Sequence, residues 1–291
     1  MAVVNTNISA SISQLSLAKN DRLLSKAMEQ LSTGKKINSA ADDAAGLAIS
    51  TRMTSQIIGL EQSIQNAHDA ISMVNTAEGA MIEVTAMLQR MRELTVQAAN
   101  GTNAEDDRTY LNMEYQNLAA EIERVAQNTQ WNGRDILTGS AASTTSSAVT
   151  FQVGANASET ITVTIGDISA SGNTNFGAFQ SGGTAATIAT TTAASAQTLS
   201  VSVLTSIDAA ITDVSSHRAN LGATTNQLTY AIDNLSNVVI NAEGTRSRLE
   251  DTDYAKATSE LARAQIIQQA GTAMLAQANQ LPQSVLQLLQ G

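Results

Sequence analysis

The sequence predicts a mainly α protein: an elongated antiparallel helical coiled-coil bundle with a small β-hairpin region and a short variable insert. Three observations lead there. From Leu204 to Leu249, residues recur at alternating steps of three and four: Leu204, Ile207, Ile211, Val214, Arg218, Leu221, Thr225, Leu228, Ile232, Leu235, Val239, Ala242, Arg246 and Leu249. All but Arg218, Thr225 and Arg246 are apolar, and such a heptad stripe marks a helix that packs lengthwise on other helices. At about 1.5 Å per residue it makes a rod of roughly 70 Å. A second stripe runs upstream through Ile57, Leu60, Ile64, Ala67, Ile71, Val74, Ala77, Met81, Val84, Leu88, Met91, Leu94 and Ala98. Its steps of three, Val74 to Ala77 and Met91 to Leu94, would overwind a coiled coil locally. The third observation is composition. One proline in 291 residues and 3% aromatics suit long helices with thin, small-residue seams.

The bulk numbers exclude several functions. No cysteine means no disulfide, no thiol chemistry and no thiolate metal site. Sixteen basic against 26 acidic residues, net −10, leave no basic face for nucleic acid. No apolar run reaches the length of a membrane span. The N-terminal MAVVNTNISASISQ has no basic segment leading into an apolar core, so it does not read as a secretory signal.

In chain order, Asn5 to Gly34 is an amphipathic helix with Ile8, Ile12, Leu15, Leu24, Met28 and Leu31 as its apolar positions. Its expected partner is the other terminus. There Tyr254, Ala257, Leu261, Ala264, Leu275, Ala278, Val285 and Leu289 form one stripe, with Gln268, Gly271 and Pro282 between them. Pro282 predicts a kink or restart. Isolated, each terminal helix is marginal, because packing supplies most helical stability. Lys35–Asp43 reads as a turn, with Ser39 and Asp42 as a capping pair. The upstream rod stops at Asn100-Gly101. Asn103 is expected to cap a helix whose first turn holds Glu105, Asp106 and Asp107, where negative charge suits the helix dipole. That helix ends near Asn128, and Trp131-Asn132-Gly133 is a turn. Alternation at Val149, Phe151 and Val153 and at Ile161, Val163 and Ile165 predicts a β-hairpin around Gly154–Ser158. Ser169 to Gln197 is Gly, Ser, Thr, Asn and Ala with scattered Phe176, Phe179 and Ile188, expected to be loop-like and exposed. The expected domains are 1–44 with 252–291, 45–168 with 198–251 (hairpin 149–165), and the insert 169–197.

Six segments carry a resemblance: INSAADDAAGLAIS (37–50), LQRMRELTVQAANGT (88–102), NTQWNG (128–133), FQVGANASETI (151–161), RANLGATTNQL (218–228) and LARAQIIQQAGTAMLAQANQLPQSVLQLL (261–289). The sequence closely resembles bacterial flagellin over residues 1 to about 166 and about 199 to 291. The resemblance implies that the terminal segments form the filament's innermost layer and the rods a surrounding shaft. It implies self-assembly into an open helical filament and export by a type III pathway, without a cleaved signal, to an extracellular flagellum. Implied partners are further copies of the chain, the export chaperone, filament cap and hook-junction proteins, and host Toll-like receptor 5. Two rivals are a hook–filament junction protein of the same family and a coiled-coil signalling module.

Enzyme chemistry finds little support, and no cofactor or metal is expected. His68 and His217 lack a second histidine at metal spacing, and no HExxH motif is present. Asp42-Asp43 and Asp106-Asp107 stand where helix starts favour negative charge. Gly182-Gly183 has no following lysine and is no phosphate loop. The resemblance implies a receptor surface at Gln89, Arg90, Leu94 and Glu114. Leu94 also falls on the seam stripe, so burial there competes with receptor contact. The resemblance further implies a tail engaged by the chaperone and by inflammasome receptors of the NAIP class, at Val285, Leu286, Leu288 and Leu289. The polar positions Arg218, Thr225 and Arg246 either fix register at a stability cost or face solvent at an imperfect seam.

Overall fold

The computed structural model describes residues 7–138, 148–169, 173–179, 187–188 and 193–290, with side chains left out at 193–200 and 281–290. The element order is α1 (Ile8–Thr33), α2 (Ala44–Ala98), α3 (Glu105–Asn128), β1 (Gln130–Trp131), β2 (Arg134–Asp135), β3 (Ala148–Gln152), β4 (Thr160–Thr164), α4 (Thr174–Gly177), α5 (Ala193–Glu250) and α6 (Tyr254–Gln290). The chain is mainly α and divides into two compact units, residues 1–57 with 240–291 and residues 58–239.

In the first unit α1 and α6 pair antiparallel. Asn7 Nδ2 donates to the Ala278 carbonyl and Asn20 Nδ2 to the Ala264 carbonyl, each at 2.7 Å. Asn7 also caps α1 by accepting from Ala10 N–H at 3.1 Å. Gly34 ends it at φ 70°, donating to Gln30, and a Cβ there would meet the Tyr254 hydroxyl at 3.0 Å. The α6 stripe falls where periodicity puts it: Ala257, Ala264 and Ala278 are buried, while Leu261, Gln268, Gly271 and Leu275 are half-buried. Tyr254, at its head, is exposed. The α1 stripe differs. The seam uses Ala10, Ser13, Leu17, Asn20, Leu24, Ala27 and Leu31, while Ile8, Ile12, Leu15 and Met28 face outward. Small residues let the two backbones approach closely enough for asparagine to reach the opposite helix's carbonyls. Reading the largest apolar residues as inward therefore chose the wrong face at Ile8, Ile12, Leu15 and Met28, and the right one at Leu24 and Leu31. α6 runs through Pro282 to Gln290 without a restart.

The connectors of this unit are tied together. Lys36 N–H donates to Glu250 O at 2.6 Å and Thr252 N–H to Gly34 O at 2.9 Å. Glu250 accepts from buried Ser50 at 2.7 Å and pairs with Lys35. Lys35 first, then Ser50, hold its carboxyl below the usual glutamate range. Asp42 accepts from Asn38 and Ser39, and the Lys26 ammonium holds its pKa at about 2. It closes the turn, whereas the start of α2 is capped by Asp43, which accepts from Gly46 N–H at 2.9 Å.

In the second unit α2 and α5 run antiparallel, joined by Arg92 to Asp208 at 2.8 Å and Arg218 to Glu78 at 3.6 Å. Met81, Leu88, Met91, Leu94, Ile207 and Leu221 are fully buried, with Tyr115 of α3 among them. Burial drives the Tyr115 hydroxyl far above the usual tyrosine pKa. α3 begins one residue later than spacing suggested. Asp107 accepts from Ala104 N–H at 3.1 Å, and Asn103 instead donates to the Gln97 carbonyl at 2.7 Å, finishing α2. Buried Arg108 donates to Asn103 O at 3.0 Å. β1 and β2 meet at a type I′ turn, with Asn132 and Gly133 at φ 50° and 74°. β3 and β4 pair from Ala148 with Thr164 to Gln152 with Thr160, as the alternation predicts. Gly166 lies so close to the His217 ring that an added Cβ would stand 2.2 Å from it.

The insert is not wholly exposed. Phe176, Phe179 and Ile188 are buried, the two rings meeting edge to face at 6.2 Å. Asn112 Oδ1 anchors Ile188 N–H at 2.9 Å and the Thr187 hydroxyl at 3.0 Å. A polar composition concealed three side chains that cover core surface. α5 also starts earlier than its heptads, at Ala193. Among the polar seam positions, Arg218 reaches Glu78, Thr225 donates to Leu221 O of its own helix, and Arg246 reaches Thr54 at 3.4 Å. All three are half-buried.

Candidate assembly interface

Among the described residues, the alanine-lined seam of α1 and α6 leaves nine large side chains outside. Ile8, Ile12, Leu15, Leu23 and Met28 of α1, with Tyr254, Ile266, Ile267 and Met274 of α6, are between 45% and 66% exposed. Ile8, Ile12 and Leu15 follow the spacing of one helical face, so they form a stripe. Ile266 and Met274 do the same on α6. Leu23, Lys26, Arg263 and Ile267 border a groove of about 510 Å³ between the two helices. Full burial of one such aliphatic side chain contributes roughly 1.5–3 kcal/mol. Contiguous apolar surface of this kind marks an interaction site. Its chemistry is association, because the stripes offer apolar area and few directional groups.

A polar surface lies on the second unit. Arg90 Nε donates to Glu114 Oε1 at 2.9 Å and Nη1 to Glu93 Oε2 at 3.0 Å, joining α2 to α3. The Glu114 bond first, then Glu93, pushes the guanidinium pKa further up. Gln89 is exposed beside it. Leu94 corrects the expected constellation: it is fully buried in the seam, so its side chain supports this surface from beneath. The tail residues Val285, Leu286, Leu288 and Leu289 continue the α6 backbone, and their side chains lie outside the described ones. Among the described residues no three His, Asp or Glu side chains converge as metal ligands, and no helix is long and apolar enough to cross a membrane.

The family descriptions "Bacterial flagellin N-terminal helical region" and "Bacterial flagellin C-terminal helical region" match residues 4–142 and 204–289. A flagellin of Halalkalibacterium halodurans is 43% identical over 99% of both chains. The chain belongs to the flagellin family. A Bacillus subtilis flagellin is 42% identical, over 98% of this chain and 99% of its own. A solved structure of a putative flagellar hook-associated protein from Vibrio parahaemolyticus covers 72% of this chain and 100% of its own, with TM-score 0.58 at 16% identity, and shares the fold. This flagellin is a structural subunit of the bacterial flagellar filament, which is extracellular. Full-length identity to flagellins disfavours the junction-protein and signalling readings.

The sequence missed Glu250 as the residue that ties the connectors together. Its one signal was position, directly after Leu249 at the end of the heptad stripe.

Proposed function

We propose that the outward stripes of α1 and α6 are the contacts by which neighbouring copies build the innermost layer of the filament. The nine exposed apolar side chains carry this reading. Each copy presents surface that only another copy covers, and the head-to-tail contact repeats without closing. Filament cap and hook-junction proteins would engage the same surface at the filament's ends. The chain reaches the outside unfolded, by type III export. In the cell the export chaperone covers the tail at Val285, Leu286, Leu288 and Leu289, and inflammasome receptors of the NAIP class read the same residues. The role is structural, with no catalytic step assigned.

On the second unit, Gln89, Arg90 and Glu114 form the surface read by Toll-like receptor 5. Arg90 offers a planar fork of donors, already aligned by Glu114 and Glu93. Seeded assembly of purified protein, followed by electron microscopy, tests the filament reading: long tubular filaments support it, and persistent monomer contradicts it. A reporter-cell titration tests the receptor surface. Arg90→Ala monomer is expected to lose about tenfold in potency or more, the scale of one interface hot spot. Equal potency of the two folded proteins would remove the assignment.

A further inference from the structure

Residues 58–239 carry six arginines and seventeen acidic residues. Arg90, Arg92, Arg124 and Arg218 sit in ion pairs, and Arg108 donates to a carbonyl. Of these six, Arg134 alone has neither kind of partner among the described residues. It is exposed on β2, directly opposite Trp131 of β1, so the two side chains leave the same side of the hairpin. Both border a pocket of about 500 Å³ whose apolar walls include Met73, Val149 and Phe151 and whose other polar walls are Asp69 and Asn132. An apolar pocket with a few convergent polar groups is a default binding site. Here it offers an aromatic hole, a lone cation and a carboxylate acceptor.

The occupant should be an aromatic ring with a hydroxyl and a neighbouring carboxylate. This chain displays one. Tyr230 on α5 is 76% exposed, and Asp233, three residues on along the same face, is exposed and has no ion pair among the described residues. Tyr110 is nearly as exposed, at 70%, but its nearby carboxylates serve elsewhere: Asp106 and Asp107 stand in the first turn of α3, where the helix N-terminus favours their charge, and Glu114 holds Arg90. Tyr230 is no wall of its own chain's pocket. We propose that the Trp131 pocket receives Tyr230 of a second copy of this chain, with Asp233 paired to Arg134. The ring packs against Trp131, Phe151 and Met73, and the phenol O–H donates to Asp69. Two acidic units would otherwise repel where they meet, and Arg134, the one arginine of this unit without an ion pair or carbonyl partner among the described residues, offsets this at one point and fixes register. The inference rests on filament assembly and adds a contact away from the terminal helices.

Trp131 is the chain's only tryptophan, so its fluorescence reads the pocket without any substitution. On assembly of the wild-type chain, acrylamide quenching of Trp131 is expected to fall several-fold. In a parallel series, Arg134→Glu and Asp233→Arg should each raise the critical concentration for assembly about tenfold. The double reversal should return it towards wild type. Monomer circular dichroism checks that the variants fold. Filaments in which Trp131 stays as quenchable as in monomer would overturn the contact and leave assembly through α1 and α6 standing. A double variant no better than either single would overturn the Arg134–Asp233 pairing. Failure of the wild-type chain to form filaments would instead refute assembly itself.

Discussion

The two units solve opposite problems with similar helices. In residues 58–239 most large apolar side chains point inward, and Met81, Leu88, Met91, Leu94, Ile207 and Leu221 are fully buried. In the terminal unit the buried apolar residues are Ala10, Ala27, Ile37, Ile57, Ala257, Ala264 and Ala278, while the isoleucines, leucines and methionines of its helix pair point mostly outward. Charge divides the same way. The terminal unit holds ten basic and nine acidic residues, including all five lysines, against six and seventeen in the other. A nearly neutral unit with an apolar exterior associates readily, whereas a strongly acidic one keeps copies soluble. One unit buries its large apolar side chains within itself, and the other leaves many of them outside for a neighbour to cover, as proposed above.

The strongest way to break this comparison is to make the outer stripe polar. Changing Ile8, Ile12 and Leu15 together to Ser should raise the critical concentration more than a hundredfold, since each exposed side chain contributes roughly 1.5–3 kcal/mol when covered. The monomer's unfolding midpoint should hardly move. Sedimentation of assembly reactions alongside a denaturant titration would decide it, and normal assembly would show that the stripe is not a contact.

Next in size is a matched pair of truncations. Leu88→Ala should cost the monomer about 2–5 kcal/mol, as removal of a fully buried leucine does. Leu15→Ala, on the exposed stripe, should stay within about 0.5 kcal/mol. Equal losses in urea titrations would mean that the terminal unit also has a large-residue core.

The smallest expected effect sharpens the comparison by pH. The folded Glu250 carboxyl is held below its usual 4.5 by Lys35 and Ser50. Its contribution is therefore full above that usual value and is lost as pH falls through the lowered one. Glu250→Gln should begin with a lower melting temperature for the terminal unit and lose less on acidification than wild type. Parallel decline of the two proteins in thermal melts across that range would exclude Glu250 as the cause.

Much of the fold was legible because long heptads are redundant. Every position of the α5 stripe from Leu204 to Leu249 is buried or half-buried, and Asn132-Gly133 alone specified its turn. The interface was less legible. Periodicity shows that a helix has an apolar face, but α1 has two competing faces, Ile8-Ile12-Leu15 and Ala10-Ser13-Leu17-Asn20. Hydrophobicity ranks the first higher, whereas close packing on α6 selects the second. The polar surface around Arg90 shows the same gap. Arg90 and Glu114 lie 24 positions apart, and their pairing depends on how α3 folds back on α2.

The sequence by itself determined the two long rods, the terminal pairing, the hairpin at 149–165, the turn at Asn132-Gly133 and the absence of thiol chemistry. Each follows from local periodicity, turn residues or composition. Tertiary structure alone decided which face of α1 is covered, that Leu94 lies beneath the Arg90–Glu114 surface, and that Phe176, Phe179 and Ile188 close the core. It also decided that Arg134 stands without an ion-pair partner among the described residues. The physical reason is common to all four. Burial and ion pairing depend on what another segment places opposite a side chain, and that distance is not written in the spacing of any one helix.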